Sequence, residues 1–419
     1  MFCKTRRNFT DEAYRTAIRK GLGEWLEKAD VVYTWEYYNP IFDNPAWMGY
    51  PTFFPGLITE DLRWLRGKSP GEFIEAESWT PRDYSVPGKT KINFPGFQHL
   101  DLYLTAKLLW NPDLSHEELL GEYYQLFYGQ AASVMEDFWG TVAEAWASKG
   151  TAKTPHEVYK SHTLQRMSAL LVEALSKVPE SSDYFRRIKM IQDEFKPVSG
   201  INERLEALDA SVLIPGSLSG DGSVTAEQWD EIPAARFLDR LIQPSRPSTT
   251  IKAVVHNRQL LLRVVCMEPE MASARRETLS DDQSSGPAMW EDDSVEFFFA
   301  PPEGNGIPAL QIVVSLSGRL LDAERNANGT RFAHQTGAKA HVTADSGSWT
   351  IDLAIPLEDL PLAGQNCSLR VNFFRNRFAG GEAQQSSWAP LLGGPYFMPE
   401  HFGILKLPTE TGLAGEAHH

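Results

Sequence analysis

Two rhythms of apolar and polar positions divide this chain. Up to about residue 205 the apolar residues recur every three or four positions over long stretches. Beyond it they alternate in short runs separated by Gly, Pro, Asn and Asp clusters. Ala13, Ala17, Ile18, Leu22, Trp25 and Leu26 predict a helix over 10–30, capped by Thr10 or Asp11. The β-branched and aromatic run 31–37 predicts a strand, 58–66 a short helix, and 72–77 a second strand. A helix over 97–110 carries an apolar stripe through Leu100, Leu104, Leu108 and Leu109. This alternation is the rhythm of βα units around a parallel sheet. Ser115 to Glu118 has the form of a capping box opening a helix that Gly129 closes. Further helices are predicted near 131–149, 155–177 and 182–195, the second striped by Leu164, Met167, Leu171 and Leu175.

After about Leu208 the pattern predicts strands over 251–256, 259–266, 294–299, 311–316, 341–344, 349–355 and 370–375, the spacing of a β-sandwich. The expected fold class is therefore α/β plus all-β. A partial (β/α) TIM-type barrel end fills 1–130, a helical extension 131–206, a sandwich 207–410 and a disordered tail 411–419. Such a barrel takes eight strands in roughly 250 residues, and two strands are a quarter of that. Either a second chain completes the barrel, or the segment is the end of a longer ancestral protein.

Composition narrows the partners. Lys+Arg 40 against Asp+Glu 55 gives 40 − 55 = −15, which argues against nucleic acid. Hydrophobic content of 42% and charged content of 23% are globular values. No run approaches the roughly 20 uncharged apolar residues of a membrane helix. The basic residues near the N-terminus precede no apolar run, so no secretory signal is expected. Cys3, Cys266 and Cys367 form no CxxC; two buried thiols are expected at Cys266 and Cys367, with a bridge between them as the alternative. His99, His116 and His256 lack metal-ligand spacing and read as core or surface residues.

Two constellations carry chemistry. Glu75 and Glu77 stand at i and i+2 of a strand, on one face and roughly 6.5–7 Å apart at Cα. Carboxyl pairs about 5–9.5 Å apart serve glycoside hydrolysis, one protonating the leaving oxygen while the other attacks or activates water. Glu36 ends the preceding strand, and Trp35, Tyr37, Tyr38, Trp47, Tyr50 and Trp79 surround them as rings able to stack on sugars. Solvated glutamates and packed aromatics are the alternative. In the second constellation, Trp290 precedes Glu291, Asp292 and Asp293 and a strand containing Glu296. An indole beside carboxylates can hold a sugar; the same acids could bind calcium, or simply cap the strand.

The segments Trp35 to Pro40, Ile58 to Arg63, Phe73 to Glu77, Leu102 to Asp113 and Tyr128 to Ala132 together resemble domain of unknown function 4838. That resemblance implies a TIM-like barrel similar to α-glucuronidases and hexosaminidases, with Glu36, Glu75 and Glu77 lining a sugar cleft. The earlier strands, where related barrels usually keep their catalytic acid, are missing. Asp221-Gly222, Trp229, Trp290 to Glu296, Trp349 to Pro356, Arg370 to Asn372, Trp388 and Pro399 to Gly403 resemble carbohydrate-binding module family 9. It implies a sandwich that clamps sugar between two Trp rings and often binds calcium. Trp290 stands at one clamp position, Glu296 and Asn372 at positions reaching hydroxyls, and Tyr396 or Phe397 in place of the second Trp. The expectation is a carbohydrate-active protein, a glycoside hydrolase of O-glycosyl bonds with an appended oligosaccharide-binding module. A non-catalytic sugar-binding protein, or one subunit of a split glycosidase, is the alternative. The family resemblance implies an extracellular or cell-envelope setting.

Overall fold

The computed structural model describes residues 2–4, 11–38, 47, 49–75, 94–148, 154–208, 211–218, 223–276, 289–303, 306–326, 329–332, 335–362, 367–381, 383–390 and 397–408. The tail expected over 411–419 lies outside them. The chain divides into two units between Arg204 and Leu205.

In the first unit three parallel strands lie in chain order: β1 (Phe2–Lys4), β2 (Thr34–Tyr37) and β3 (Glu72–Glu75). Helices α1 (Glu12–Lys28) and α2 (Pro55–Leu65) are the crossovers, and α3 (Pro95–Trp110) follows β3. Sequential parallel neighbours joined by helices are the progression expected of a βα barrel end. The described residues form no closed barrel. Sequence reasoning found two of these strands. Phe2-Cys3-Lys4 is too short to show a period, and its strand state comes from pairing with β2.

Asp11 caps α1 by accepting the Tyr14 N–H at 3.1 Å, and Pro55 and Pro95 occupy first-turn positions, where a missing N–H costs nothing. Leu100, Leu104 and Leu108 bury the stripe of α3, whereas Leu109 is turned outward and 41% exposed. Ser115 caps α4 (His116–Tyr128) by accepting the Glu118 N–H at 3.3 Å, but its hydroxyl donates to Glu117 at 2.6 Å. The cap is therefore simple, not a reciprocal box. The remaining helices are α5 (Ala132–Ala147), α6 (Pro155–Val158), α7 (Ser161–Ser176), α8 (Asp183–Phe195) and α9 (Ile201–Glu206). The single helix expected over 155–177 is broken at Tyr159, whose buried hydroxyl donates to the Pro51 carbonyl. That buried anchor overrides the helical pattern. Tyr38, Trp47 and Tyr50 are buried, packed on Phe54, on Trp146 and on Trp47 respectively, so these rings are core and not sugar platforms.

The start of α3 is held from α8: the Gly96 N–H donates to Glu194 Oε1 at 3.0 Å, while Glu194 Oε2 is buried without a hydrogen-bond partner. Burial pushes the Glu194 carboxyl up to about 7, against the hydrogen bonds from Gly96 and Phe97. A carboxyl held above its unfolded value stabilises the fold when protonated. That contribution is full below about 4.5 and is lost as pH rises through about 7. Urea midpoints of the whole chain should fall between pH 5 and 8, and Glu194→Gln should flatten that slope. An unchanged slope in the variant would assign it to other groups.

The second unit is a sandwich. Its larger sheet runs β13 (Gly329–Phe332), β12 (Leu320–Asn326), β11 (Ala309–Ser315), β10 (Ser294–Ala300), β16 (Ser368–Arg377), β17 (Gln384–Ser387), β7 (Leu238–Asp239). Strand β18 (Gly403–Lys406) also pairs with β16, and β4 (Val212–Leu213) with β18. The smaller sheet runs β14 (Lys339–Ala344), β15 (Ser348–Pro356), β9 (Gln259–Met267), β8 (Thr249–His256), β5 (Gly216–Leu218), with β6 (Ala235–Arg236) beside β8. Alternate residues meet in the core: Leu262, Val264, Ile351 and Leu353 from one sheet, Val295, Phe297, Ile312, Val371 and Phe373 from the other. Gly403 is needed at its position, since a Cβ there would lie 2.5 Å from the Trp388 ring and 2.6 Å from the Ser211 carbonyl. Cys266 and Cys367 are not bridged to each other, so the alternative of a disulfide is not realised; Cys266 is buried as expected, whereas Cys367 is only half-buried.

Candidate functional site

In the first unit, Glu36 is fully buried on β2 and shares a register line with Ile74. Glu75 ends β3 opposite Tyr37, one register step from Glu36. Alternate positions of a sheet belong to opposite faces, so the described strands do not bring these two positions onto one face. Trp35 is half-buried and meets Phe73 edge-on, ring centres 5.3 Å apart. Glu77 and Trp79 lie outside the described residues.

The second unit gathers more. Antiparallel register carries one line of residues across five strands on the outer face of the larger sheet: Phe332, Ala323, Gln311, Phe298 and Asn372. The next line on that face holds Leu321, Val313, Glu296 and Phe374. Outward positions of a sandwich sheet are ordinarily wet, yet Glu296, Gln311, Asn372 and Asn376 are buried. Aromatic rings cover them. Phe374, Phe397 and Phe402 all pack on Phe298, at 5.6, 6.0 and 6.0 Å between centres. Trp290, on the short turn Met289–Glu291, is half-buried and stacks on Phe332 at 6.2 Å and 30°.

Buried polar groups need partners, and these have them. Gln311 Nε2 donates to Glu296 Oε2 at 2.7 Å, and Asn376 Nδ2 donates to Glu296 Oε1 at 2.8 Å. Arg325 Nε donates to Gln311 Oε1 at 2.9 Å. Burial raises the Glu296 carboxyl above its ordinary range, opposed by these two amides and by the charge of Arg325. Asn372 is turned to the backbone: its oxygen accepts the Ala389 N–H at 2.9 Å and its amide donates to the Ala389 carbonyl at 3.2 Å. Phe397 reaches the site; Tyr396 lies outside the described residues.

Sequence reasoning missed Gln311, Arg325, Asn376, Phe298 and Phe332. The signal was available for two of them. Gln311 is the one amide in an otherwise apolar run, and Asn376 follows Asn372 and Phe374 at period two. Arg325 and Phe332 sit on β12 and β13, whose mixed composition shows no alternation.

Of the acids before β10, Asp293 is bonded to backbone. Asp293 is buried and accepts the Arg275 N–H at 2.8 Å and the Phe378 N–H at 3.4 Å, tying the end of the turn to two loops. Among the described residues no three His, Cys, Asp or Glu side chains come together to hold a metal ion. Nor is any described helix long and apolar enough to cross a membrane.

Removing the Glu296 carboxylate would strand two buried amide donors. Glu296→Ala should cost about 1–3 kcal/mol for each stranded group, read as a lower urea midpoint at unchanged m-value. An unchanged midpoint would mean the network carries no stability.

Residues 1–140 match the family described as domain of unknown function 4838, and residues 221–410 match the family described as carbohydrate family 9 binding domain-like. Among solved structures, the chain is similar to a candidate carbohydrate-binding protein of Bacteroides uniformis, at 21% identity and TM-score 0.37, over 48% of this chain and 100% of that one. It is also similar to a family 9 carbohydrate-binding module of Caldicellulosiruptor kristjanssonii in complex with cellotriose, at 13% identity and TM-score 0.32, over 50% and 98%. A glucose complex of a module from the same organism is similar at 12% identity and TM-score 0.32, over 47% and 96%. No curated protein matches the chain.

Proposed function

We propose that this chain is a carbohydrate-active protein whose sandwich binds oligosaccharide on the outer face of its larger sheet. The observation that carries this is a pre-bonded polar network flanked by half-buried Trp290 and Phe397, within the stretch matching the family 9 binding domain. Sugar rings offer apolar C–H faces and hydroxyl edges. The aromatic rings would take the first and the Glu296 network the second, with little ordering left to do on binding. Tyr396 joins the site by its place beside Phe397 in the sequence. Asn372 contributes by fixing Ala389, since its side chain is spent on that backbone.

Hydrolysis of O-glycosyl bonds is the finer part of the proposal. Glu75 and Glu77 would act as acid and as nucleophile or base, with Glu36 in support. Glu75 is the last residue of its parallel strand, the end where barrel enzymes keep their chemistry. One observation favours the non-catalytic alternative. Among the described residues β1 and β3 each have one strand neighbour, far short of a closed barrel. In the remaining alternative, one subunit of a split glycosidase, a second chain supplies the missing strands.

Calorimetric titration with cello- and xylo-oligosaccharides, with and without calcium, tests the binding half. Trp290→Ala and Phe397→Ala should each weaken binding about tenfold or more, as stacking contacts worth 1–3 kcal/mol are lost. Undiminished affinity in both variants would remove the outer face from sugar binding. For the catalytic half, Glu75→Gln or Glu77→Gln should abolish release of reducing ends while leaving affinity intact. A wild-type chain that binds and releases none would stand as the non-catalytic form.

A further inference from the structure

On the outer face, acceptors and donors are unequally spent. Both Glu296 oxygens already accept an amide N–H, the Gln311 oxygen accepts from Arg325, and the Asn372 oxygen accepts from the Ala389 N–H. Arg325 is the reverse case. Its Nε is fixed on Gln311, and its guanidinium lies 5.5 Å from the Phe298 ring centre and 5.1 Å from that of Phe397. Among the described residues neither Nη makes a hydrogen bond. Glu296 turns its bonds to the two amides and not to this arginine, so its charge is felt only through space. The result is a planar cation held along one edge and packed beside two rings, with its fork open. A hydroxyl can still reach the second lone pairs of the Glu296 and Gln311 oxygens, whereas the two Nη groups are donors with nothing yet to donate to. A carboxylate only accepts, and matches an arginine fork with two parallel bonds.

We propose that Arg325 makes this site selective for acidic sugars, holding the carboxylate of a uronic acid residue on its two Nη groups while Phe397 and Trp290 pack on the ring. This deepens the sugar-binding reading of the same face and rests on it. The fork is rigid because Gln311 is itself held by Glu296, so the buried carboxyl acts as a positioning residue for the cation without touching the ligand.

Calorimetry with matched ligands separates the two claims. Cellobiouronic acid, its methyl ester and cellobiose differ only at one C6 position; trigalacturonic acid and its methyl ester form a second pair. At pH 7 and constant ionic strength the free acids should bind about tenfold tighter than their esters, as expected for a charge-assisted bidentate pair over a neutral one. Arg325→Gln should erase that ratio, so that acid and ester bind alike in the variant. Arg325→Lys, which keeps the charge but not the fork, should restore only part of it. Thermal melts of both variants would establish that the fold is retained. Equal affinity for acid and ester in wild type, or a ratio untouched by Arg325→Gln, would overturn the proposal and leave sugar binding standing. No binding by any of the five ligands would overturn both.

Discussion

The register of β10 between β11 and β16 is the constraint on which the sandwich and its outer face depend. Val295, Phe297 and Phe299 point into the core, where Phe297 meets Phe373 at 5.7 Å, while Glu296 and Phe298 take the other face. A slip of one residue would exchange every side chain between faces, driving Glu296 into a hydrocarbon layer. The apolar pairs oppose that slip from inside. The bonds from Gln311 and Asn376 to Glu296 oppose it from outside, because each closes only in the observed register. The same few strands thus carry a core and, back to back with it, a bonded polar surface.

Strand β16 shows how the two sides are coupled. Arg375 and Arg377 follow Phe373 on the inward side and converge on the buried carboxylate of Glu268, just past β9 in the opposite sheet. Their bonds are 3.0 Å from Arg375 and 2.8 Å for each of two from Arg377. Burial alone would raise the Glu268 carboxyl; the bonds and charge of Arg377, the Glu270 N–H and the charge of Arg375 bring it below its usual range. A buried carboxylate with two guanidiniums is costly to desolvate and costlier to break, so its gain is geometric: it pins the end of β16 to the other sheet. Between the two arginines, facing the other way, stands Asn376, the donor to Glu296. The ionic knot inside therefore fixes one corner of the network outside.

Much of this was legible in the sequence, and the exceptions share a cause. Long helices showed their stripes, and long buried strands such as β9 and β15 their alternation, because each buries a face by itself. Strands β1, β13 and β17 did not, being short elements whose state is set by the neighbour they pair with. Trp290, Glu296 and Phe397 could be named from motif positions. Arg325 could not, since its significance lies in a register line and two rings from β10 and the segment before β18, none of which is local in sequence. The aromatic excess misled in the first unit, where Trp47 and Tyr50 pack among other rings: aromatic content alone does not distinguish a core from a platform.

The two units differ in how completely they satisfy their own physics. A parallel sheet is normally covered on both faces. In the first unit the face holding Thr34 and Glu36 is buried, while Tyr33 and Phe73, on the other face, are 48% and 49% exposed. Among the described residues, the three strands alone do not wall a cleft on that side. The sandwich has a closed core, a satisfied polar layer and rings already stacked over it. Recognition of sugar there needs nothing beyond residues within its own sheet and turns, whereas chemistry in the first unit depends on structure beyond the described strands. The proposed binding and the proposed hydrolysis therefore rest on separate units, and loss of one would carry no information about the other.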